Sequence, residues 1–257
     1  MSYEKYIKKY KKKKLIIKVT QILLLIVIVT IWQFLSDKNY INSFISSSPK
    51  RIVKTIINLI NQKNLWIHIY TTIKECIISF TITTFLSLFI SIVLYYFDTL
   101  YKIIDPYLTI LNSLPKVSFG PLLIIWLGAN NKSIITMSVL ISIIVSIQTI
   151  YSGFENTDKI KLKLLNIYNA TKIDTLLYLV IPQNKNVIFN SLKINISMCL
   201  VGVITGEFLT SKSGIGYLIL YGSQVFNLDL VMSGIFLLTI ISYLMYKIIN
   251  LISKNRY

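Results

Sequence analysis

Long apolar runs alternate with short polar breaks along most of this chain. Several runs have the roughly 20 residues that a bilayer-spanning helix needs. The pattern predicts six spans, near residues 15–35, 76–97, 107–127, 133–151, 187–209 and 230–252. The third covers part of its window and is broken by Pro115 and Pro121. A signal peptide is the competing reading of the first run, which follows Lys11–Lys14. The run is longer than a signal's apolar core and no small-x-small cleavage site follows it, so an anchor helix is expected. Between the first two spans, Ser48-Pro49 opens a basic, amphipathic segment expected to lie in the membrane interface and pack on the bundle. The fold class is therefore all-α integral membrane. Residues 1–65 form a basic tail, first span and interfacial helix, residues 66–252 the main membrane domain, and residues 253–257 a short tail.

One break differs from the others. Residues 155–186 form a long polar island with helical patterning, from Glu155 through Asp158, Lys159, Lys161 and Lys163 to Asn169, Ala170, Lys172, Asp174 and Pro182. A polar segment of this length between two spans reads as a docking surface for a partner outside the membrane.

Composition agrees with the pattern. The chain has 257 residues, 54% of them hydrophobic, and a net charge of +17. Its mean hydropathy is +0.65. A basic balance can signal nucleic-acid binding, but the lysines cluster at the N-terminus and in loops, as a positive-inside bias places them. The expected partner is the lipid bilayer, with no nucleic acid. With the N-terminus inside, the inner set holds Lys5–Lys18, Lys102, Lys159–Lys185, Lys247, Lys254 and Arg256. The outer set holds Lys38, Lys50, Arg51, Lys54, Lys63, Lys132 and Lys212. The inner set is the larger, so both termini are expected in the cytoplasm.

Candidate chemistry is sparse. Cys76 and Cys199 lie in apolar runs and read as small buried hydrophobes. His68, the single histidine, reads as a polar surface group without a role. There is no phosphate-binding Gly-x-x-x-x-Gly-Lys motif, no paired histidines at helical spacing and no Gly-x-Ser-x-Gly. No catalytic residue, metal site or cofactor is expected, and uphill transport would draw its energy from another subunit.

Two further stretches are informative, the first of which reads equally as a kinked helix beside a translocation path or as a kink without substrate contact. Pro115, Gly120 and Pro121 free backbone groups that lipid cannot satisfy, so this backbone must pack in protein or line a wet cavity. Lys116 has two readings, snorkelling to the interface or facing the path. Gly202 and Gly206 have the small-xxx-small spacing of close helix contact, with Leu at Gly206 expected to disrupt it more than Ala at Gly202. Glu207 follows and needs a partner. A hydrogen bond to the next loop, at the outer interface, is favoured over substrate contact. Gly214 and Gly216 are read as the tight turn toward the sixth span.

These motifs together resemble the membrane-spanning permeases of bacterial ABC importers. The similar branch is the nitrate/sulfonate/taurine type of the binding-protein-dependent transport system inner-membrane component family. That family's inside loop reads Glu-Ala-Ala, three residues, Gly, nine residues, Ile-x-Leu-Pro. Here Lys163, Leu164 and Leu165 stand for Glu-Ala-Ala, Asn169 for Gly, and Leu179 to Pro182, with Ile181, for Ile-x-Leu-Pro. Further matches are Ser48-Pro49, Asp105-Pro106, Leu114-Pro115-Lys116, Pro121-Leu122, Trp126-x-Gly128 and Gly206-Glu207 through Gly214-x-Gly216-Tyr217.

The resemblance implies a type-1 importer permease in the bacterial plasma membrane, most simply a homodimer. A separate ABC ATPase would dock on the inside loop through residues 163–165, Asn169, Ala170, Ile181 and Pro182. A solute-binding protein would deliver a small polar or anionic solute of the nitrate, sulfonate, taurine or vitamin-precursor class. Asn169 can hold the left-handed turn that the family's Gly allows. Leu164 and Leu165 are bulkier than Ala, and Lys163 inverts a charge. An integral-membrane enzyme would need polar residues converging at one membrane face, and only Glu207 and scattered Asp offer them. A non-ABC carrier would favour an inverted internal repeat, and none is evident.

Overall fold

A computed structural model describes residues 3–38, 40–41, 46–62 and 64–254. Lys63, Arg256 and Tyr257 therefore lie outside the described residues. The described residues are predominantly helical and include no strand. Helix α1 spans Tyr3–Asp37, α2 Pro49–Asn61, α3 Leu65–Tyr96, α4 Asp98–Ser113, α5 Gly120–Leu127 and α6 Asn131–Glu155. Helix α7 is Lys159–Ile167. Helix α8 comprises Lys172–Thr175, a π-helical turn at Leu176–Val180, and Ile181–Gln183. Then follow α9 at Lys185–Thr210, α10 at Ile215–Gln224 and α11 at Leu228–Lys254.

Five helices, α1, α3, α6, α9 and α11, are long and apolar enough to cross a membrane. The broken third span is α4 and α5, which meet at 90°. Pro115 forces the residue before it into extended backbone, and Leu114 accordingly has ψ 141° and ends α4. Pro121 sits harmlessly in the first turn of α5. Lys116 bridges the break by donating to Asn112 Oδ1 (2.9 Å) and to the Ile141 carbonyl of α6 (3.2 Å).

The interior of the bundle mixes small polar side chains with apolar ones, while its exterior is large and apolar, unlike that of a water-soluble helix bundle. Helix α3 buries Thr72, Cys76, Ser79, Thr83, Ser87 and Ser91 along one face while Ile77, Phe85 and Phe89 face outward. Interior hydroxyls find partners on neighbouring helices. Thr83 pairs with Ser142 at 3.0 Å, Ser138 donates to the Cys199 carbonyl at 2.9 Å, and Asn195 donates to Thr84 at 2.9 Å. In lipid there is no hydrophobic force between helices, so close packing and such bonds hold the bundle.

Gly202 and Gly206 form the tightest part of this packing, between α6 and α9 of the same chain. A Cβ on Gly206 would lie 2.9 Å from the Ile134 Cα, and one on Gly202 would overlap the Ser138 backbone. Ala at Gly202 is therefore not free of cost either, because backbone stands where its methyl would go.

The amphipathic helix α2 packs by its Ile52 face and is pinned at its start. Ser48 caps it, accepting from the Arg51 N–H (3.4 Å). Arg51 donates to Asp229 in the first turn of α11 (Nε to Oδ2, 2.8 Å), and Ser47 donates to the other Asp229 oxygen (2.8 Å). The C-terminal end of α1 joins the same corner. There Lys50 pairs with Asp37 at 3.5 Å, and its backbone N–H donates to Gln33 at 3.0 Å.

The Gly214–Gly216 turn does not lead straight into the last span. It opens a further helix, α10, that the apolar pattern does not separate from its neighbours. Gly214 has φ +113°, and the next backbone donors are taken by buried side chains. Gly214 N–H donates to His68 Nδ1 (3.0 Å), Ile215 N–H to Thr72 Oγ1 (2.9 Å) and Gly216 N–H to Glu207 Oε2 (2.6 Å). Thr72 in turn donates to Glu207 Oε1 (2.6 Å). His68 is thus buried and employed, correcting the surface reading. Glu207 does bond the following turn, as expected, and is fully buried among the helices.

The glycine packing makes a direct prediction. Gly202→Ala should cost about 1–3 kcal/mol as an overpacking substitution, and Gly206→Leu should cost more. Both should lower the yield of monodisperse chain in mild detergent. Wild-type yield for both variants would show that α6 and α9 do not approach this closely.

Candidate functional site

The polar island folds as two short helices joined by a sharp corner. Asp158 caps α7 by accepting from the Ile160 N–H (2.9 Å). The helix stops in a Schellman arrangement, with Ala170 N–H bonded to the Leu165 carbonyl (3.1 Å) and Asn169 N–H to the Asn166 carbonyl (3.0 Å). That closure requires a left-handed residue, and Asn169 supplies it with φ +54°. The next residue but one starts α8. Thr171 and Asp174 form a reciprocal capping box, with the Thr171 backbone donating to Asp174 (3.1 Å) and the Asp174 backbone to Thr171 (3.2 Å). The Thr171 hydroxyl also donates to Asp174, and these bonds hold that carboxyl below the ordinary aspartate range. Stop signal and start signal thus abut, from Asn169 to Asp174, which fixes the angle between α7 and α8.

Pro182 shapes the far end. Proline cannot donate to a carbonyl one turn back and its ring crowds that carbonyl. The preceding turn is widened, so that Ile181 N–H bonds to the Leu176 carbonyl five residues earlier. The widened turn sends Leu176 and Val180 inward, where they pack with Ile150 and Phe154 of α6. Ile181 joins that cluster at its edge, while Pro182 is exposed.

A staple closes the island at its base. Asn184, buried, donates to Thr157 Oγ1 (2.8 Å) and to the Val180 carbonyl (2.9 Å). The two ends of the island are therefore tied together at the point where the chain re-enters the bundle. Neither residue is predicted from sequence. A short polar pair 27 positions apart carries no periodic signal.

The outer face is bare. Ile160, Leu164, Ile167 and Tyr168 of α7 and its cap are 53–79% exposed, at spacings that place them on one side of the helix. Lys159, Lys161 and Lys163 are exposed beside them. Leu165 is half-buried and contributes its carbonyl to the corner. Ala170 is half-buried and lines a cavity of about 440 Å³ with Tyr96, Asp98, Lys102, Glu155 and Lys172. Lys172 lies over the Tyr96 ring at 5.6 Å and so ties α8 to the end of α3.

The other candidates are not brought to this loop. Pro115, Lys116 and Pro121 sit at the α4–α5 bend, and Gly202, Gly206 and Glu207 lie within α9. Sequence reasoning missed Thr72 and Glu75 altogether. The second span was started at Cys76, one residue past Glu75, whereas α3 begins at Leu65.

Comparison with known proteins bears on this arrangement. The chain is 26% identical over 220 residues to a probable ABC transporter permease protein of Haemophilus influenzae, covering 86% of this chain and 89% of that one. It is 22% identical to a putative aliphatic sulfonates transport permease protein of Bacillus subtilis, covering 91% and 85%. It is 18% identical to the taurine transport system permease protein of Escherichia coli, covering 86% and 82%. Residues 83–255 match the family model of the binding-protein-dependent transport system inner membrane component. That match takes in α6, the island and α9, and the chain belongs to this family of multi-pass membrane transport permeases.

Proposed function

We propose that this chain forms the translocation path of a bacterial ABC importer and receives a separate ATPase on the loop formed by α7 and α8. The observation that carries this reading is the loop's two-sidedness. Its inner face is fused to α6 through Leu176 and Val180, and its outer face carries an unpartnered apolar stripe edged with lysines. A helix with apolar residues at such spacing fits a groove on a partner. The loop residues in contact with the ATPase would be Lys163, Leu164, Ile167, Tyr168 and, beside the corner, Ala170. With one such loop per chain, two ATPase subunits require two permease chains, which supports a homodimer. A groove of about 700 Å³ between α9 and α11, mostly apolar with Ser197, Thr205, Thr239 and Ser242 set among Leu200, Val201, Ile204 and Ile235, offers a face on which a second copy would pack.

The family is one of transport permeases rather than enzymes, which favours this reading over a membrane enzyme or a non-ABC carrier. A solute-binding protein would deliver the cargo from the other side. Relatives named for aliphatic sulfonates and taurine, and others named for formylaminopyrimidine and riboflavin, support a small polar or anionic solute. Both chain ends belong on the loop's side. The far end of α1 is tied through α2 to the start of α11, so as membrane-crossing helices they turn their opposite ends to the same side. With the basic residues Lys9–Lys18 there, the positive-inside bias makes that side cytoplasmic.

Two measurements test this. Asn169→Gly should leave co-purification of the cognate ATPase unchanged at matched permease levels, because Gly enters the left-handed region freely. Asn169→Val should reduce it, since a β-branched residue there costs on the order of 1–2 kcal/mol, and Tyr168→Ala should reduce it about tenfold if Tyr168 is an anchor. Undiminished recovery with both of the latter variants would rule the loop out as the docking element. For topology, a reporter fused after Tyr257 should be active only in a format that works in the cytoplasm. Activity in an extracytoplasmic format would overturn the orientation.

A further inference from the structure

A second polar feature lies inside the membrane-spanning bundle, away from the loop. Glu75 is on α3, 1% exposed, and neither carboxyl oxygen has a hydrogen-bond donor among the described residues. Thr72, one turn before Glu75 on the same buried face of α3, bonds the Glu207 carboxyl of α9 at 2.6 Å, so the group facing Glu75 is another carboxyl, 0% exposed. Two ionised carboxylates in contact and away from water repel each other strongly, because little solvent screens them.

Among the described residues the cation that acts on Glu75 is Lys74, and its pull is weaker than the repulsion from Glu207. Lys74 is exposed, with its ammonium 6.0 Å from the centre of the Tyr70 ring. His68, two turns before Glu75, uses Nδ1 to accept from Gly214 and stacks on Tyr217 of α10. Cys76 and Cys199 are buried nearby as free thiols. From α6, the residue pressed against this part of α9 is Ile134.

The hydrogen-bond directions separate the two carboxyls. Thr72 accepts from Ile215 N–H, so its own hydrogen points to Glu207 Oε1. Gly216 N–H points to Glu207 Oε2. Glu207 is thus surrounded by donors and acts as the acceptor. Glu75 has no such donors, and its stable form here is the acid. We propose that Glu75 carries a proton and donates it to Glu207, making the pair a one-proton binding site inside the membrane. A metal cation suits this place less well, because Thr72 and Gly216 direct hydrogens, not lone pairs, at the shared carboxylate.

The bound proton would complete the clamp on α10. It joins α3 to α9 at the carboxylate that also holds the first turn of α10. Its loss would place two like charges in the same contact and weaken the hold on that helix. The site is thus a protonatable latch on the segment between the last two spans.

Infrared spectroscopy on the full chain in lipid nanodiscs tests this at neutral pH. The chain has four glutamates, Glu4, Glu75, Glu155 and Glu207. Wild type labelled with ¹³C-glutamate should show one protonated carboxyl band per chain that shifts with the label and with ¹H/²H exchange. Glu75→Gln should abolish the band, and Glu155→Gln, at an exposed position, should leave it intact. Absence of the band in wild type would overturn the proposal, and so would its persistence in Glu75→Gln. A carboxylate band that responds to added sodium, with no protonated band, would overturn it in favour of a metal cation. If Glu75→Gln fails to fold, the labelled wild-type spectrum alone decides whether a glutamic acid is present.

Discussion

Lipid offers no hydrogen bonds, and that absence governs how each irregular backbone segment in this chain is built. The start of α10 is the clearest case. A helix beginning within the bundle leaves its first backbone N–H groups without intrahelical partners. Here three successive donors, from Gly214, Ile215 and Gly216, are met by His68, Thr72 and Glu207. Those side chains come from α3 and α9, so satisfying one helix end also ties together two long spans. A Cβ on Gly214 or Gly216 would intrude on the Glu207 carboxyl, which is why the turn is written in glycine. The break between α4 and α5 follows the same rule with another device, the Lys116 ammonium reaching the Ile141 carbonyl of α6.

The long spans were legible because length and apolarity alone identify them. Helices α6, α9 and α11 lie within a few residues of the windows that the apolar pattern gives, and α1 contains its window but starts twelve residues earlier. The amphipathic α2 was legible from its spacing and its Ser48-Pro49 start. Helix α10 was not. Its residues Ile215–Gln224 are apolar on most sides, and a helix too short to span leaves no distinct mark in a hydropathy pattern. The start of α3 was missed for a related reason. Its buried face is polar, with Thr72 and Glu75, and polarity within an apolar run reads as a boundary until its partners on other helices are known.

The corner at Asn169 was legible for a physical reason. The family resemblance puts a glycine at this position, and Asn is the non-glycine residue that most readily takes positive φ, so the resemblance and the residue together imply the corner. The packing consequences of Gly202 and Gly206 were only half legible. The spacing announces a close approach but not with which helix, and the partner, α6 of the same chain, follows only from the fold. Thr157 and Asn184, which close the base of the loop, belong to the class of long-range polar pairs that no local pattern encodes.

These elements combine into one mechanical path. Under the proposed function, a force applied to α7 passes through a corner held by the Schellman closure and the Thr171–Asp174 box, neither of which depends on the partner. It then reaches α8, whose Leu176 and Val180 are packed on Phe154 at the end of α6. Helix α6 lies against α9 with glycines at the contact, leaving no side chain between the backbones to absorb displacement. Helix α9 carries Glu207, which holds the start of α10. Rigid, densely packed elements transmit displacement rather than dissipating it. The Asn184–Thr157 staple matters in this light, because without it the island could pivot at its base and α7 could move without moving α6 or α9.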